Sequence, residues 1–150
     1  MAFDPRAIEA QIALDLIGST DMPKLAWDAL EAGLNGPAIR RLAALEFPTF
    51  FEVRELLPHF MEELRLVKMS RQEAAVRLAK IRAREILRSG SDPLQHLRDF
   101  EQLWIQADYC TELSDYGNLA DEVNVAHSMG QPKAEIRTRI LKLMQVLAAD

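Results

Sequence analysis

The chain is poor in the residues that make chemistry legible. Its single cysteine, Cys110, forms no internal disulfide and supplies no thiolate cluster for zinc, which suits a reducing compartment. Three histidines, His59, His96 and His127, are scattered along 150 residues. His59 has Glu55 and Glu63 one turn away on either side, yet neither Glu-x-x-His nor His-Glu-x-x-His occurs. His127 follows Glu122 by five residues, off the shared helix face. No metal site and no cofactor are expected. Gly-x-Ser-x-Gly, Walker A and Gly-x-Gly-x-x-Gly motifs are absent, so an enzyme would have to be assembled from scattered acids, and the expectation is a protein that is not an enzyme. Apolar runs are a few residues long, short of the roughly 18 that a membrane helix needs. The opening Met1 to Arg6 lacks an apolar h-region. The expectation is therefore no membrane contact, no signal peptide and a cytoplasmic location. Alternating strand patterns are missing and β-branched residues are sparse.

What is present is helix punctuation. With 49% apolar and 27% charged residues and a formal net charge of -5, a chain this long buries roughly 70% of its unfolded surface around one core. Asp4-Pro5 and Asp92-Pro93 read as an N-cap followed by proline at N1, and Pro37 and Pro132 also stand where segments begin. Thr49-x-x-Glu52 and Ser70-x-x-Glu73 are capping boxes. The six glycines all fall between periodic segments, as C-caps and turns require, and none reads as a packing glycine. These signals predict an all-α fold, a single compact bundle or irregular helical array of seven to eight helices. The predicted spans are 5–17, 23–34, 37–46, 50–66, 71–89, 93–108, 112–127 and 133–149. In the fourth, Phe50, Val53, Leu57, Phe60, Met61 and Leu64 share one face; in the last, Ile136, Ile140, Leu143, Met144 and Leu147 do. Pro58 predicts a kink or break near Leu57. No internal repeat and no low-complexity linker divides the chain, so 1–150 is expected as one all-α domain.

The stretches LAWDALEAGLNGPAIRRLAAL, Leu25–Leu45, and AKIRAREILRSGSDPLQHLRDFEQLW, Ala79–Trp104, resemble a pattern in small bacterial all-α proteins of unknown function. There, a DALEAG helical hairpin precedes a pair of helices joined by Gly-x-x-Asp-Pro. The resemblance spans about residues 25–122 and implies an all-α fold. It carries no catalytic residue over.

Three surfaces are candidates for function. The hairpin at 24–45 meets a helix-turn-helix spacing through Ala29, Gly33, Leu34, Ile39 and Leu42. Its second helix offers Arg40 and Arg41 as DNA-contacting cations, while Asp28, Glu31 and Glu46 cancel most of the local charge. The same spacing also builds a tight αα corner. On the helix from Arg71 to Arg88, Arg77, Lys80, Arg84 and Arg88 line a basic stripe opposite Ala75, Leu78, Ala79, Ala83 and Ile86. From Asp99 to Glu122 there are seven acids and no Lys or Arg. That polarity would guide a protein partner or self-association, or be solvated within the fold. Finally, Arg82, His96, Glu101 and Asp108 fall on apolar arcs, which predicts that Arg82 meets Glu101 or Asp108 across Gly90 as a buried ion pair or a small-molecule pocket. Trp27 and Tyr116 are possible aromatic anchors, with Trp27 across its helix from Leu25 and Ala29. Cys110, without a nearby cation, reads as an inert thiol. The functional expectation is a non-enzymatic cytoplasmic protein-interaction module. The first alternative is a DNA-associated regulator using Arg40 and Arg41, which the acidic net charge disfavours; the second is a small-molecule binder around Arg82 and Glu101.

Overall fold

The structure, a computed structural model, describes residues 3–149. Among them the fold is all-α: eight helices of seven residues or more, one four-residue helical turn and three 3-10 turns, with no strand. The chain forms two compact units, Met1–Met69 and Ser70–Asp150. The division falls at Ser70, whose hydroxyl accepts from the Glu73 amide and starts a helix. No composition shift announces it.

The first unit holds α1 (Pro5–Ala13), α2 (Met22–Glu31), α3 (Pro37–Ala43) and α4 (Phe50–Glu63). Helix α1 starts as its Asp-Pro signal requires, with the Asp4 carboxylate accepting from the Arg6 and Ala7 amides. Helices α2 and α3 form a tight corner, and α3 packs on α4. Gly33, at φ 90, closes α2 in a Schellman turn in which the Leu34 amide donates to the Ala29 carbonyl. Ala26, Ala29, Ile39, Leu42, Val53, Leu56, Phe60 and Leu64 fill the core between them. The small alanines of α2 let α3 approach closely. The core stripe of α4 is thus Val53, Leu56, Phe60 and Leu64. Leu57 and Met61 are half-buried, and Phe50, expected on this stripe, faces solvent. Helix α4 runs unbroken through Pro58. Pro58 and Arg54, whose carbonyl loses its amide partner, are both exposed residues, so the missing bond falls on the outer side of the helix.

The second unit holds α5 (Arg71–Ser89), α6 (Leu97–Gln106), α7 (Ser114–Gly117), α8 (Leu119–Ser128) and α9 (Lys133–Ala148). Helix α5 packs against α9 and α6 through Ala75, Ala79, Ala83 and Ile86, all buried. Helix α9 buries Ile136, Ile140, Met144 and Leu147.

Five helices, α1 to α4 and α6, stop two to four residues short of their predicted ends, and three of them do so for one reason. Asp15, Arg65 and Asp108 adopt the left-handed conformation, at φ 55, 57 and 53. Each closes its helix as glycine ordinarily does. The bonds are Leu16 N–H to Gln11 O, Leu66 N–H to Met61 O and Tyr109 N–H to Trp104 O, at 2.8–2.9 Å. Conversely, two glycines serve packing. A Cβ on Gly36 would overlap the Glu63 carboxyl, with Glu63 Cγ at 2.8 Å, and a Cβ on Gly117 would enter the Trp104 indole, with Cγ at 2.6 Å. Gly117→Ala is accordingly expected to cost about 1–3 kcal/mol by urea unfolding. Gly18→Ala, whose Cβ meets only an Asp21 oxygen at 3.5 Å, is expected to stay within about 0.5 kcal/mol. Equal effects at the two positions would contradict this assignment.

Candidate functional site

The loop between α3 and α4 and the first turn of α4 carry the most exposed aromatic surface of the first unit. Thr49 opens α4 with a complete capping box: its hydroxyl accepts from the Glu52 amide at 3.2 Å, and the Glu52 carboxylate accepts from the Thr49 amide at 3.0 Å. This cap sets the direction in which Phe50 and Phe51 leave the backbone. They are 62% and 74% exposed, and their rings meet edge to face at 6.0 Å. The Arg54 guanidinium lies over the Phe50 ring at 5.9 Å. Two residues before the cap, Phe47 is 94% exposed and held at φ 48. A left-handed non-glycine residue costs about 1–2 kcal/mol, and here the side chain recovers none of it by burial.

Helix α4 is oriented from its other end. Gly36, the N-cap of α3, has no side chain to satisfy the first amides of that helix. Glu63 supplies the acceptor: its Oε2 takes the Ala38 N–H at 2.8 Å and its Oε1 the Ile39 N–H at 2.9 Å. The buried Glu9 does similar work on α1, where its Oε2 accepts from the Val67 N–H at 2.7 Å. Sequence reasoning missed both carboxylates and the Phe47–Phe51 cluster. A Gly-Pro helix start without a local cap was the available signal for Glu63.

The residues singled out from the sequence are not one assembly. Arg77 and Lys80 are half-buried and neither is without a partner. Arg84 donates from Nε to the Ala148 carbonyl at the end of α9, at 3.1 Å, and Arg88 is exposed in the last turn of α5. The expected buried cluster does not form: Arg82 and Asp108 are exposed, and His96 and Glu101 are half-buried. Arg82 sits at the edge of the buried arc of α5 and carries its charge outward, as long basic side chains do. Its partners are Glu85 at 3.4 Å and, across the Gly90 turn, Asp99 at 3.6 Å, in place of Glu101 or Asp108. His96, half-buried, approaches the same Asp99 oxygen with Nδ1 at 3.6 Å. Glu101 pairs with Arg98 at 3.9 Å. Asp108 lies past the end of α6, so the helical spacing that placed it inward does not apply. Trp27 is 56% exposed, whereas Tyr116 is buried and donates its hydroxyl to the Leu143 carbonyl.

In the hairpin, Arg40 is exposed and donates to the Asn35 side chain at 2.7 Å, and Arg41 is exposed beside it. Burial pushes the half-buried Cys110 thiol above its ordinary pKa, and Glu112 adds to the shift, so little reactive thiolate is present at neutral pH. Among the described residues no group of three or more His, Cys, Asp or Glu could hold a metal ion, and no helix is long and apolar enough to cross a membrane. Comparison with protein-family models, with curated proteins and with solved structures finds no match to this chain.

One ion pair is built into the second unit. Asp92 takes Arg137 Nε on Oδ1 at 3.2 Å and Arg137 Nη2 on Oδ2 at 3.3 Å, and also accepts from the Leu94 amide at 3.1 Å. The Arg137 guanidinium, then the Leu94 N–H, hold its carboxyl below the usual carboxylate range. A depressed folded-state pKa stabilises the fold above the unfolded value and loses that stabilisation as pH falls through the folded value. Asp92→Asn should therefore cost about 1 kcal/mol at neutral pH. The difference from wild type should shrink as pH drops below about 4. A pH-independent difference in urea unfolding would contradict the role of the carboxylate.

Proposed function

We propose that the protein is a non-enzymatic protein-interaction module, working in the cytoplasm, whose contact is made by Phe47, Phe50 and Phe51. The observation that carries this reading is Phe47, left-handed and 94% exposed, three and four residues before two further exposed phenylalanines. Backbone strain that displays an apolar ring to water has no use inside the unit, and it presents an aromatic anchor of the kind that dominates protein contacts. Charge supports a protein partner over a polyanion. Residues 1–69 hold seven Lys and Arg against eleven Asp and Glu, and Glu46, Glu52 and Glu55 flank the rings in sequence. Such a surface repels phosphate.

The same argument weighs against the hairpin as a DNA reader. Helix α3 is seven residues long, and the carboxylate of Glu63 already occupies its first amides, which leaves Arg40 and Arg41 as the offered cations. The small-molecule alternative is less well supported, since Arg82 pairs with Glu85 and Asp99 while Glu101 pairs with Arg98.

Affinity isolation from a native lysate, with wild type and Phe47→Ser/Phe51→Ser in parallel, tests the reading. Wild type is expected to retain a defined protein that the double variant, folded with an unchanged Tm, loses at least about tenfold. Retention indifferent to both substitutions would overturn the proposal, as would salt-sensitive capture of nucleic acid lost in Arg40→Ala/Arg41→Ala.

A further inference from the structure

We infer that the exposed face of α4 pairs with the same face of a second copy of this chain, the two helices running antiparallel about a two-fold axis between Arg54 and Glu55. The inference rests on the reading of Phe47–Phe51 as a contact surface and names what covers it. Helix α4 turns Val53, Leu56, Phe60 and Leu64 into the core. Phe50, Phe51, Arg54, Glu55, Pro58 and His59 are all left exposed. Phe51, Arg54, Glu55 and Pro58 recur at intervals of three and four, so they form one row along the helix.

A two-fold axis through the middle of that row reverses it onto itself. Arg54 then faces Glu55 of the second copy, and Glu55 faces its Arg54. Phe51 faces Pro58 of the second copy, and Phe50 faces its His59. Along the helix each Arg54 meets an anion, and Phe50 and Phe51 meet a flat or apolar partner, which is the self-complementarity that an isologous contact demands. An acidic chain with net charge -5 would otherwise repel its own copy, and the two symmetric Arg54–Glu55 pairs at the centre oppose that repulsion.

The area sets the strength. At their exposures of 94%, 62% and 74%, Phe47, Phe50 and Phe51 present roughly 400 Å² per copy. Two copies therefore offer about 800 Å² before Arg54, Glu55, Pro58 and His59 are counted, close to the roughly 1,000 Å² of a specific contact and below the roughly 1,600 Å² of a standard one. A contact of this size belongs with the weak, transient ones.

Sedimentation equilibrium of the full chain, over roughly micromolar to hundreds of micromolar loading, is the test. The wild-type mass should rise from 17.0 kDa toward twice that value. Phe51→Ser should remain monomeric throughout. Arg54→Glu should weaken association by about tenfold, and adding Glu55→Arg to it should restore the wild-type midpoint to within about threefold. All four proteins must share the same far-UV circular dichroism and Tm, which their exposed positions permit. A wild type that stays monomeric, or an Arg54→Glu defect that Glu55→Arg does not rescue, overturns the antiparallel pairing. If that monomer still needs Phe47 and Phe51 to hold another protein, the interaction reading stands and the second copy is the wrong occupant. A dimer indifferent to Phe51→Ser overturns both.

Discussion

One carboxylate governs how the first unit is put together. Helix α3 begins at Gly36-Pro37, where no side chain can take its first amides, and those amides are satisfied from 24 and 25 residues away by Glu63. Orphaned amides in a partly buried helix start cost about 1–3 kcal/mol each, so the arrangement is strongly selected over any in which Glu63 points elsewhere. The demand is reciprocal. Gly36 must lack a Cβ because the Glu63 carboxyl occupies that space, and Glu63 must stand at the α3 end of α4. Together with Val53, Leu56 and Phe60 in the core, this fixes the rotation of α4 about its own axis.

From that rotation the exposed face follows. A helix has one angular freedom, and once Glu63 and the core residues are turned toward α3, Phe51, Arg54, Glu55 and Pro58 can only point outward. The capping box at Thr49 holds the opposite end, where Phe50 and Phe51 emerge shortly after Phe47 in the chain. Core packing, a helix cap and a remote carboxylate thus converge on one surface. The strain at Phe47 is affordable because the rest of the unit is over-determined.

The all-α class and several helix starts were legible in the sequence because caps are local: Asp4, Thr49, Ser70 and Asp92 each act on amides two or three residues ahead, but Asp92 opens only a 3-10 turn, so α6 starts at Leu97 and not at 93, and the helix expected over 112–127 is split into a 3-10 turn, α7 and α8. Helix ends were less so, because Asp15, Arg65 and Asp108 take the left-handed turn that glycine usually marks. The packing roles of Gly36 and Gly117 depend on Glu63 and Trp104, distant or half-buried side chains whose approach no spacing reveals. The candidate site was hidden by periodicity itself. Phe50 fits the apolar rhythm of α4, but the core of the unit ends at Val53, so the first turn overhangs it. Arg82 was misplaced for a related reason: the helical wheel sees where Cβ points, and a long side chain can leave from there. The Asp99 that meets it lies two residues before the expected Glu101, on a different side of α6.

The most direct measurement is amide hydrogen exchange at Ala38 and Ile39 in wild type, Glu63→Gln and Glu63→Ala. First-turn amides of an isolated helix exchange freely because no intrahelical acceptor reaches them. If Glu63 holds α3 onto α4, both amides are protected in wild type, partly exposed in Glu63→Gln and unprotected in Glu63→Ala, which also loses about 2–3 kcal/mol of stability. Amides that exchange equally fast in all three proteins, with stability unchanged, would contradict the account.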